Sequence, residues 1–326
     1  MHDSLQTSTP ALHKNMEDPA QYLRDLLDSM APNTRSAYSG QLRSFASWCK
    51  ASCRSPLPAS PGTVAAYIHS LRDSSRSMST IQQALAAISR LHAACGFPPP
   101  SASEEVRAAM AASSRLLGRK SKKKAALTAG PVSLILSYIP QDRLIDLRDR
   151  ALISVGFCGA FRRSELASLR MDDLETAPPG PDGRKRVFIH VRRSKTDQTG
   201  KGMTKCIFSG STAVDPVKEL GAWIRAAGLS GTGCLFPGFR KGDSMQHSPI
   251  SPGSIARMLK ARASAAGLDP SDISGHSLRR GFITSAVRAG ASERSIMNQT
   301  GHRRTEALRE YYERRDAAED NAASLI

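Results

Sequence analysis

The stretch His276-Ser277-Leu278-Arg279 is followed by Thr300-Gly301-His302 and then by Tyr311. This order is the most specific feature of the chain. Tyrosine is a weak nucleophile at neutral pH because its phenol has a pKa near ~10. It attacks phosphorus only where positive charges gather around the phosphate oxygens. The order therefore predicts a tyrosine nucleophile next to a clamp for a phosphate group.

The composition of the chain points to a polyanionic partner. Lysine and arginine number 46 and aspartate and glutamate 29, which gives a net charge of +17 at pH 7. Because the excess is spread over the whole length, a polyanion is the natural partner. A generically basic soluble protein remains the alternative, since high basicity alone is a loose signal.

The sequence argues against a membrane protein. No stretch approaches the roughly 18 apolar residues of a transmembrane helix, and the N-terminus lacks the apolar core of a signal peptide. We therefore expect a cytoplasmic protein.

The cysteines and acidic residues give no sign of a cofactor. The six cysteines are scattered without a CxxC pair, so we expect reduced core thiols and no structural metal. The chain has no G-x-x-x-x-G-K-[ST] loop and no carboxylate cluster for Mg²⁺. We expect neither a metal nor a nucleotide.

The length of 326 residues suggests two domains. Residues 1–20 are polar and without pattern, which predicts a flexible N-terminal tail. Helical periodicity fills residues 21–117 and predicts an all-helical first domain. Its helices are expected to start near Asn33-Thr34, Ser60, Ser79 and Ser103.

A basic segment separates the two predicted domains. Residues 118–128 form a predicted linker, whose positive charges are Arg119, Lys120, Lys122, Lys123 and Lys124. The segment could be a solvated connection, or it could lie along a DNA backbone, which counterion release would favour. Both interpretations place a domain boundary here.

Residues 129–326 predict an α-rich second domain with a small antiparallel β-sheet. Arg186–Val191 is rich in β-branched and aromatic residues and predicts a strand. Its expected partner is Lys205-Cys206-Ile207-Phe208. The polar, glycine-containing stretch between them predicts a hairpin loop, with Lys195 near its start.

A second basic motif precedes these strands. Gly159-Ala160-Phe161-Arg162-Arg163-Ser164-Glu165-Leu166 follows an apolar helix and opens another, where backbone amides favour anions. Taken alone it is a weak motif, because a surface basic pair bridged to Glu165 would look the same.

In combination, these motifs resemble the tyrosine recombinases, also called phage integrases. The shared features are G-x-x-R-x-S-E-L, the hairpin lysine, H-x-x-R, G-H and a tyrosine nine residues later. The resemblance extends from about residue 30 to residue 326, and the first domain is similar to the core-binding domain of Cre-like members. It implies a two-domain DNA clamp with a C-terminal catalytic domain that ends in a tail helix.

The resemblance also implies roles for individual residues. The positions that match the catalytic residues of the family are Arg162, Lys195, His276, Arg279, His302 and Tyr311. Two guanidiniums would hold the non-bridging phosphate oxygens, and the hairpin lysine would protonate the leaving 5′-alkoxide. Glu165, one helical turn from Arg162, would brace the arginine or the histidine.

Three alternatives remain open at these positions. Tyr312 competes with Tyr311, because adjacent helical residues point about 100° apart and only one can face the phosphate; the spacing from His302 favours Tyr311. Arg163 competes with Arg162, although Ser164-Glu165 sets the register in favour of Arg162. The separate roles of the two histidines are not distinguished.

The implied function is site-specific DNA recombination. The tyrosine would cleave DNA through a 3′-phosphotyrosyl intermediate and exchange strands between two inverted-repeat-type sites in a tetrameric synapse. We expect residues 314–326 to dock on a neighbouring protomer. The rivals are a type IB topoisomerase and a DNA-binding regulator without catalysis.

One helix of the first domain is a candidate for reading DNA bases. It carries the polar residues Gln82, Gln83 and Arg90 and could enter a major groove. A solvated helix face is the alternative interpretation.

Overall fold

The computed structural model of this protein describes residues 29–30, 32–118, 125–192, 202–210, 214–240 and 243–319. Contacts divide the chain into two units, Met1–Lys123 and Lys124–Ile326, and this division falls inside the predicted linker. The five basic residues of the linker lie outside the described residues. None of the described helices combines the length and apolar composition that a membrane crossing requires.

The first unit is helical, as the sequence predicts. Its core contains Phe45, Tyr67, Ile81 and Val106, each at most 2% exposed, and a short 3₁₀ turn at Pro100–Ala102 precedes the last helix. The helices are α1 Pro32–Ala51, α2 Pro61–Asp73, α3 Met78–Ala94 and α4 Glu104–Leu117.

Three helix starts of this unit are set by serine caps. The Ser60 and Ser103 hydroxyls accept hydrogen bonds from the third residue beyond them, as predicted. Two starts were predicted wrongly. Helix α1 begins at Pro32, before the expected cap, and Ser77 caps α3 because its Oγ accepts from Thr80 N, which leaves Ser79 inside the helix.

The second unit mixes helices with short strands. Its described helices are α5 Ala129–Ser137, α6 Leu144–Cys158, α7 Arg163–Ser168, α8 Pro216–Ala227, α9 Pro252–Ala265, α10 Ser277–Arg288, α11 Glu293–Thr300 and α12 Glu306–Glu319. Its described strands are β1 Leu174–Ala177, β2 Arg186–Val191, β3 Met203–Phe208, β4 Pro237–Phe239 and β5 Met245–Pro249. The mainly helical class with a small antiparallel sheet is confirmed.

The strands form two antiparallel sheets, one in the order β1-β2-β3 and one that pairs β4 with β5. In the first sheet Ile189 lies opposite Lys205, so the predicted pairing of the two strands is confirmed, while residues 193–201 of the predicted hairpin loop lie outside the described residues. Strands β1, β4 and β5 were not predicted. Each is at most five residues long, and Gly and Pro, which usually weaken strand patterns, occur in β4 and β5.

The chain enters the second unit along helix α10. Ala125 N donates to Asp272 O at 2.7 Å, and Leu127 N donates to Ser277 O at 3.1 Å. Leu127 is 3% exposed. Its carbonyl lies so close to Gly281 that a Cβ there would stand 1.7 Å from the oxygen. Residues 125–128, which the sequence assigns to the linker, are therefore attached to the second unit.

The cysteines are free thiols. Cys49 is buried in the first unit, whereas Cys53 is exposed, so the expectation of a core position is wrong for Cys53. Among the described residues, no group of three or more His, Cys, Asp or Glu side chains is placed to hold a metal ion.

Helix α6 runs through the centre of the second unit, with one apolar cluster on the side of the three-stranded sheet and another towards α5 and α9. It also carries a buried arginine. Arg150 donates to both carboxylate oxygens of Glu219 in α8, at 2.8 and 2.6 Å, and to the carbonyls of Leu136 and Ile139. A buried ion pair is tolerated because Arg150 makes four hydrogen bonds and both oxygens of Glu219 accept one.

Glu219→Ala is therefore expected to destabilise the second unit by about 3 to 5 kcal/mol, because it leaves a buried guanidinium without a counter-ion. Urea unfolding should be followed by the fluorescence of Trp223, which is 0% exposed in this unit, in a Trp48→Phe background. Glu175→Ala, at an exposed position of β1, is the matched control and should change stability by less than about 0.5 kcal/mol. Equal effects of the two variants would contradict the prediction.

Candidate active site

The candidate site begins at the turn between α6 and α7. Ala160 has a φ of +47°, which is uncommon for a residue with a Cβ, and it is 0% exposed. Phe161 N donates back to Gly156 O at 3.1 Å. The turn delivers Arg162 to the start of α7.

Arg162 is held by Glu165, one turn further along α7. Its Nη1 donates to Oε1 at 2.6 Å, and its backbone N donates to Oε2 at 3.0 Å. The side chains are 14% and 1% exposed. The neighbouring Arg163 lies against Gly275, where a Cβ would stand 1.6 Å from the arginine Cδ. Arg162, rather than Arg163, is thus the arginine bonded to the buried carboxylate.

Arg279 projects from α10 into the same place and is 5% exposed. Its Nη1 donates to Ala160 O at 2.7 Å, and its Nη2 donates to Thr300 O at 2.7 Å. Burial, together with the like charge of Arg162, lowers its pKa to about 10. The guanidinium therefore stays charged at neutral pH, although its surroundings already hold excess positive charge.

His302 completes a chain of hydrogen bonds. Its Nε2 lies 3.1 Å from Arg279 Nη2, which can only donate. Thr300 Oγ1 donates to Ile296 O and so can accept from Nδ1, 2.9 Å away. This network assigns the proton to Nδ1. Burial first, and then the charges of Arg279, Arg162 and Lys205, lower the pKa of His302 to about 4.

The His302 ring is therefore expected to be neutral, with the proton on Nδ1, throughout the neutral range. Its pKa of about 4 lies below the ordinary value near ~6.5. As the pH falls from about 6.5 to about 4, His302 is protonated in the unfolded chain but not in the folded protein. The free energy of unfolding therefore decreases progressively over this pH range. Ring ¹⁵N chemical shifts during an NMR titration measure both properties, with His190, an exposed histidine of β2, as the internal comparison. Titration near 6.5 would contradict this.

Tyr311 and Tyr312 take different directions from α12. The hydroxyl of Tyr312 donates to Ala291 O at 2.7 Å, in the connection between α10 and α11. Both rings pack against the small core that contains Leu308, but it is the negative form of Tyr311 that would raise the pKa of Arg279. Of the two phenols, that of Tyr311 is coupled to the arginine cluster.

The other predicted site residues are distributed as follows. His276 is exposed, immediately before α10 and one turn from Arg279. Lys195 lies outside the described residues. Gln82, Gln83 and Arg90 are exposed on α3 of the first unit, where Gln83 Oε1 accepts a hydrogen bond from Gln41 Nε2 at 3.3 Å. Among the described residues, hydrogen bonds thus link Arg279 to His302 and Arg162 to Glu165.

Sequence reasoning missed one charged residue of this cluster. Lys205 on β3 is 1% exposed, and its Nζ donates to Gly159 O at 2.8 Å and Ala160 O at 3.2 Å. It also lies 3.9 Å from Glu165 Oε2. The alternation of the strand contained a signal, since Lys205 shares the buried face with Ile207.

The cluster is suited to an anion. Within its described residues, Arg162, Arg279 and Lys205 share the single carboxylate of Glu165. Positive charge that is held in place without full neutralisation stabilises a phosphate and the extra charge of a phosphorane. The phenol of Tyr311 interacts electrostatically with Arg279 of this cluster. A mainly helical chain with these properties defines the class of phosphoryl-transfer enzymes that use a tyrosine nucleophile.

Comparisons with known families agree with this class. Residues 126–318 match the Phage integrase family, and residues 20–95 match the Phage integrase, N-terminal SAM-like domain. The chain belongs to the phage integrase family of tyrosine recombinases, which are site-specific DNA recombinases. The family resemblance seen in the motifs is confirmed.

Individual relatives span most of the chain. The Integrase/recombinase xerD homolog of Selenomonas ruminantium is 35% identical over 307 residues, which cover 93% of this chain and 88% of the relative. Recombinase cre of Escherichia phage P1 is 28% identical over 275 residues, which cover 79% and 77%.

Two solved structures share the fold. XerH site-specific recombinase bound to palindromic difH substrate has a TM-score of 0.63 at 16% identity and covers 94% of this chain and 84% of its own. A lambda integrase dimer bound to a COC′ core site has a TM-score of 0.62 at 15% identity, with coverages of 90% and 94%.

Proposed function

We propose that this protein cleaves and rejoins double-stranded DNA at specific sites through a 3′-phosphotyrosyl bond to Tyr311. It then exchanges strands between two inverted-repeat-type sites. The observation that carries the proposal is the cluster of Arg162, Arg279 and His302 around the buried Arg279, with which Tyr311 interacts electrostatically. The names of the two relatives, an integrase/recombinase and a recombinase, support the same activity.

The first step is an attack at phosphorus. The Tyr311 oxygen bonds to the scissile phosphorus, the bond from phosphorus to the 5′ oxygen breaks, and a free 5′-hydroxyl is left. Arg162 and Arg279 hold the non-bridging oxygens and offset the charge of the phosphorane. Because the phosphotyrosyl ester conserves the energy of the broken bond, the 5′-hydroxyl of a second duplex can reverse the step.

Proton transfers accompany this attack. Lys195 would give a proton to the leaving 5′ oxygen, which would otherwise depart as a strong base. His276, exposed before α10, would accept the phenolic proton of Tyr311. His302 would donate to a phosphate oxygen once the negative charge of the phosphate favours protonation of Nε2.

The DNA is held by both units. Arg119, Lys120, Lys122, Lys123 and Lys124 would contact the phosphate backbone, because each neutralised phosphate releases counterions. Gln82, Gln83 and Arg90 would face a groove from α3, where amide side chains can pair with base edges. As an enzyme of DNA, the protein would act in the cytoplasm at the nucleoid.

Recombination requires more than one protomer. We propose that dimers and then tetramers assemble on DNA through residues 314–326 of each chain. The apolar pairs Ala317-Ala318, Ala322-Ala323 and Leu325-Ile326 would bury a small face on a neighbouring protomer. The lambda integrase structure is a dimer bound to DNA, which supports such an arrangement for this fold.

Covalent trapping followed by strand exchange tests the function. The protein is incubated with duplexes that carry inverted repeats from its own genomic neighbourhood around a randomised spacer. Denaturing electrophoresis recovers covalent adducts, and sequencing of their DNA identifies the site. Two labelled duplexes with that site are then mixed, and recombinant products are the expected result.

The same experiment separates the rival functions. A type IB topoisomerase would form the adduct and relax supercoiled plasmids, but it would not exchange strands between duplexes. A regulator without catalysis would shift the DNA in a native gel and leave no adduct. Either pattern would overturn the proposed recombinase.

A further inference from the structure

Lys205 is a buried cation for which the proposed reaction has no role. Its side chain is 0% exposed, and it lies on β3 behind the arginine cluster. The Nζ atom stands 4.5 Å from the centre of the Phe161 ring. It has no route to a leaving group in solvent, so it cannot replace the hairpin lysine as a proton donor.

Its hydrogen bonds reach the supports of both arginines. Nζ donates to the carbonyls of Gly159 and Ala160, in the turn that delivers Arg162. Arg279 Nη1 donates to the same Ala160 carbonyl at 2.7 Å. Nζ also faces the carboxylate of Glu165, which binds Arg162. A displacement of the Lys205 side chain would therefore alter the positions of both Arg162 and Arg279.

The positive charge of Lys205 is poorly compensated. The nearest carboxylate oxygen is 3.9 Å away, whereas the buried Arg150 makes two contacts below 3 Å with its own glutamate. Burying a charge without a close partner costs stability. A neutral group already ties the same elements, since Gln299 Nε2 donates to Cys158 O and Cys206 O. A purely structural tie would not need a charge.

We propose that Lys205 is a positioning residue that fixes the turn before Arg162 and adds its positive charge to the phosphate site from behind. This inference rests on the proposed function. It goes beyond that function, because it assigns part of the electrostatic stabilisation to a residue that never touches the DNA.

The charge of Lys205 depends on pH near neutrality. Burial lowers its pKa to about 7, Glu165 opposes this shift, and Arg279 and Arg162 add to it. His302, which also belongs to this cluster, has a pKa of about 4 and stays neutral in this range, and Arg279, with a pKa of about 10, stays charged. The free site thus loses one positive charge as the pH rises through about 7, while a bound phosphate would retain the proton.

Lys205→Met tests the role of the charge. With the DNA site found by trapping, we expect adduct formation at limiting DNA to slow by about tenfold or more below pH 7. The ratio of wild-type to variant rates should shrink as the pH rises through 7. The Met variant should also resist urea better than the wild type, most clearly below pH 7, because the cost of the buried ammonium is fully present there and is relieved as the pH rises.

Gln299→Leu is the matched control. It removes a neutral tie between the same elements, so any loss of rate should come with lower stability and should not vary with pH through 7. Lower activity combined with higher stability is expected only for Lys205→Met, because only that variant removes the buried charge. Rates of Lys205→Met within twofold of wild type between about pH 6 and pH 9 would overturn the proposal.

A second experiment tests the same role of Lys205 without cleavable DNA. Sulfate remains a dianion between about pH 6 and pH 9, so any pH dependence of its binding comes from the protein. Calorimetric titration with sodium sulfate, at constant ionic strength, should show binding that weakens about tenfold across this range for wild type and stays weak for Lys205→Met. The same pH dependence in both proteins would overturn the role of Lys205. If the wild type forms no DNA adduct but shows the expected sulfate binding, only the proposed recombinase function would be overturned, and the role of Lys205 would stand.

Discussion

Tyr311→Phe is expected to abolish the covalent DNA adduct, and Tyr312→Phe is expected to retain it. The first change removes the oxygen that attacks phosphorus, and no other group in the cluster can form the same ester. The second removes a hydrogen bond to Ala291 O, which contributes about 1 kcal/mol to stability. The two variants differ from wild type by one oxygen each, at adjacent positions of α12.

The comparison is made with the DNA site recovered by trapping, and denaturing electrophoresis resolves free protein from adduct. DNA binding by Tyr311→Phe should match wild type, because most of the affinity comes from phosphate contacts along the duplex. An adduct that survives in Tyr311→Phe and disappears in Tyr312→Phe would reverse the assignment of the nucleophile.

Arg279→Gln is expected to slow adduct formation by about 10³-fold while leaving DNA affinity nearly unchanged. A donor that is fixed at the place where charge develops contributes about 10²- to 10³-fold in rate. This arginine also holds the carbonyls of Ala160 and Thr300, so its loss disturbs the turn before Arg162. Glutamine keeps a donor of similar shape but carries no charge.

Single-turnover cleavage in excess protein measures this rate separately from DNA binding. Arg280→Gln is the matched control, since it removes the same charge from the next position of α10, outside the cluster, and should change the rate only a few-fold. Trp223 fluorescence checks that both variants are folded. Similar rates for the two variants would show that Arg279 does not act on the phosphate.

Much of this architecture could be predicted from short-range patterns. The strand Arg186–Val191 follows directly from its β-branched and aromatic residues, and the caps Ser60 and Ser103 follow from serines that stand just before apolar periodicity. The motif residues could be named because their order along the chain is specific. These signals depend on residues that are close together in the sequence, so they can be recognised without a structure.

The rest depends on contacts between distant residues. Strand β1 has only two apolar residues, Leu174 and Ala177, both half-buried, and it exists because it pairs with β2. The role of Lys205 depends on carbonyls more than forty residues earlier. The left-handed backbone of Ala160 is imposed by the buried turn around it, since alanine has no preference for that conformation. The strand alternation that places Lys205 on the buried face is a local pattern, but the partners of Lys205, the pairing of β1 and the backbone of Ala160 are not.

The entry of the chain along α10 decides where the protein can be cut. A fragment that begins at residue 129 would lack Leu127 and would expose the Gly281 backbone against which the Leu127 carbonyl packs, on the same helix that carries Arg279. A catalytic fragment intended for expression by itself should therefore start upstream of Ala125. An affinity tag or fusion partner should likewise join ahead of that residue, where it does not displace the hydrogen bonds to Asp272 and Ser277.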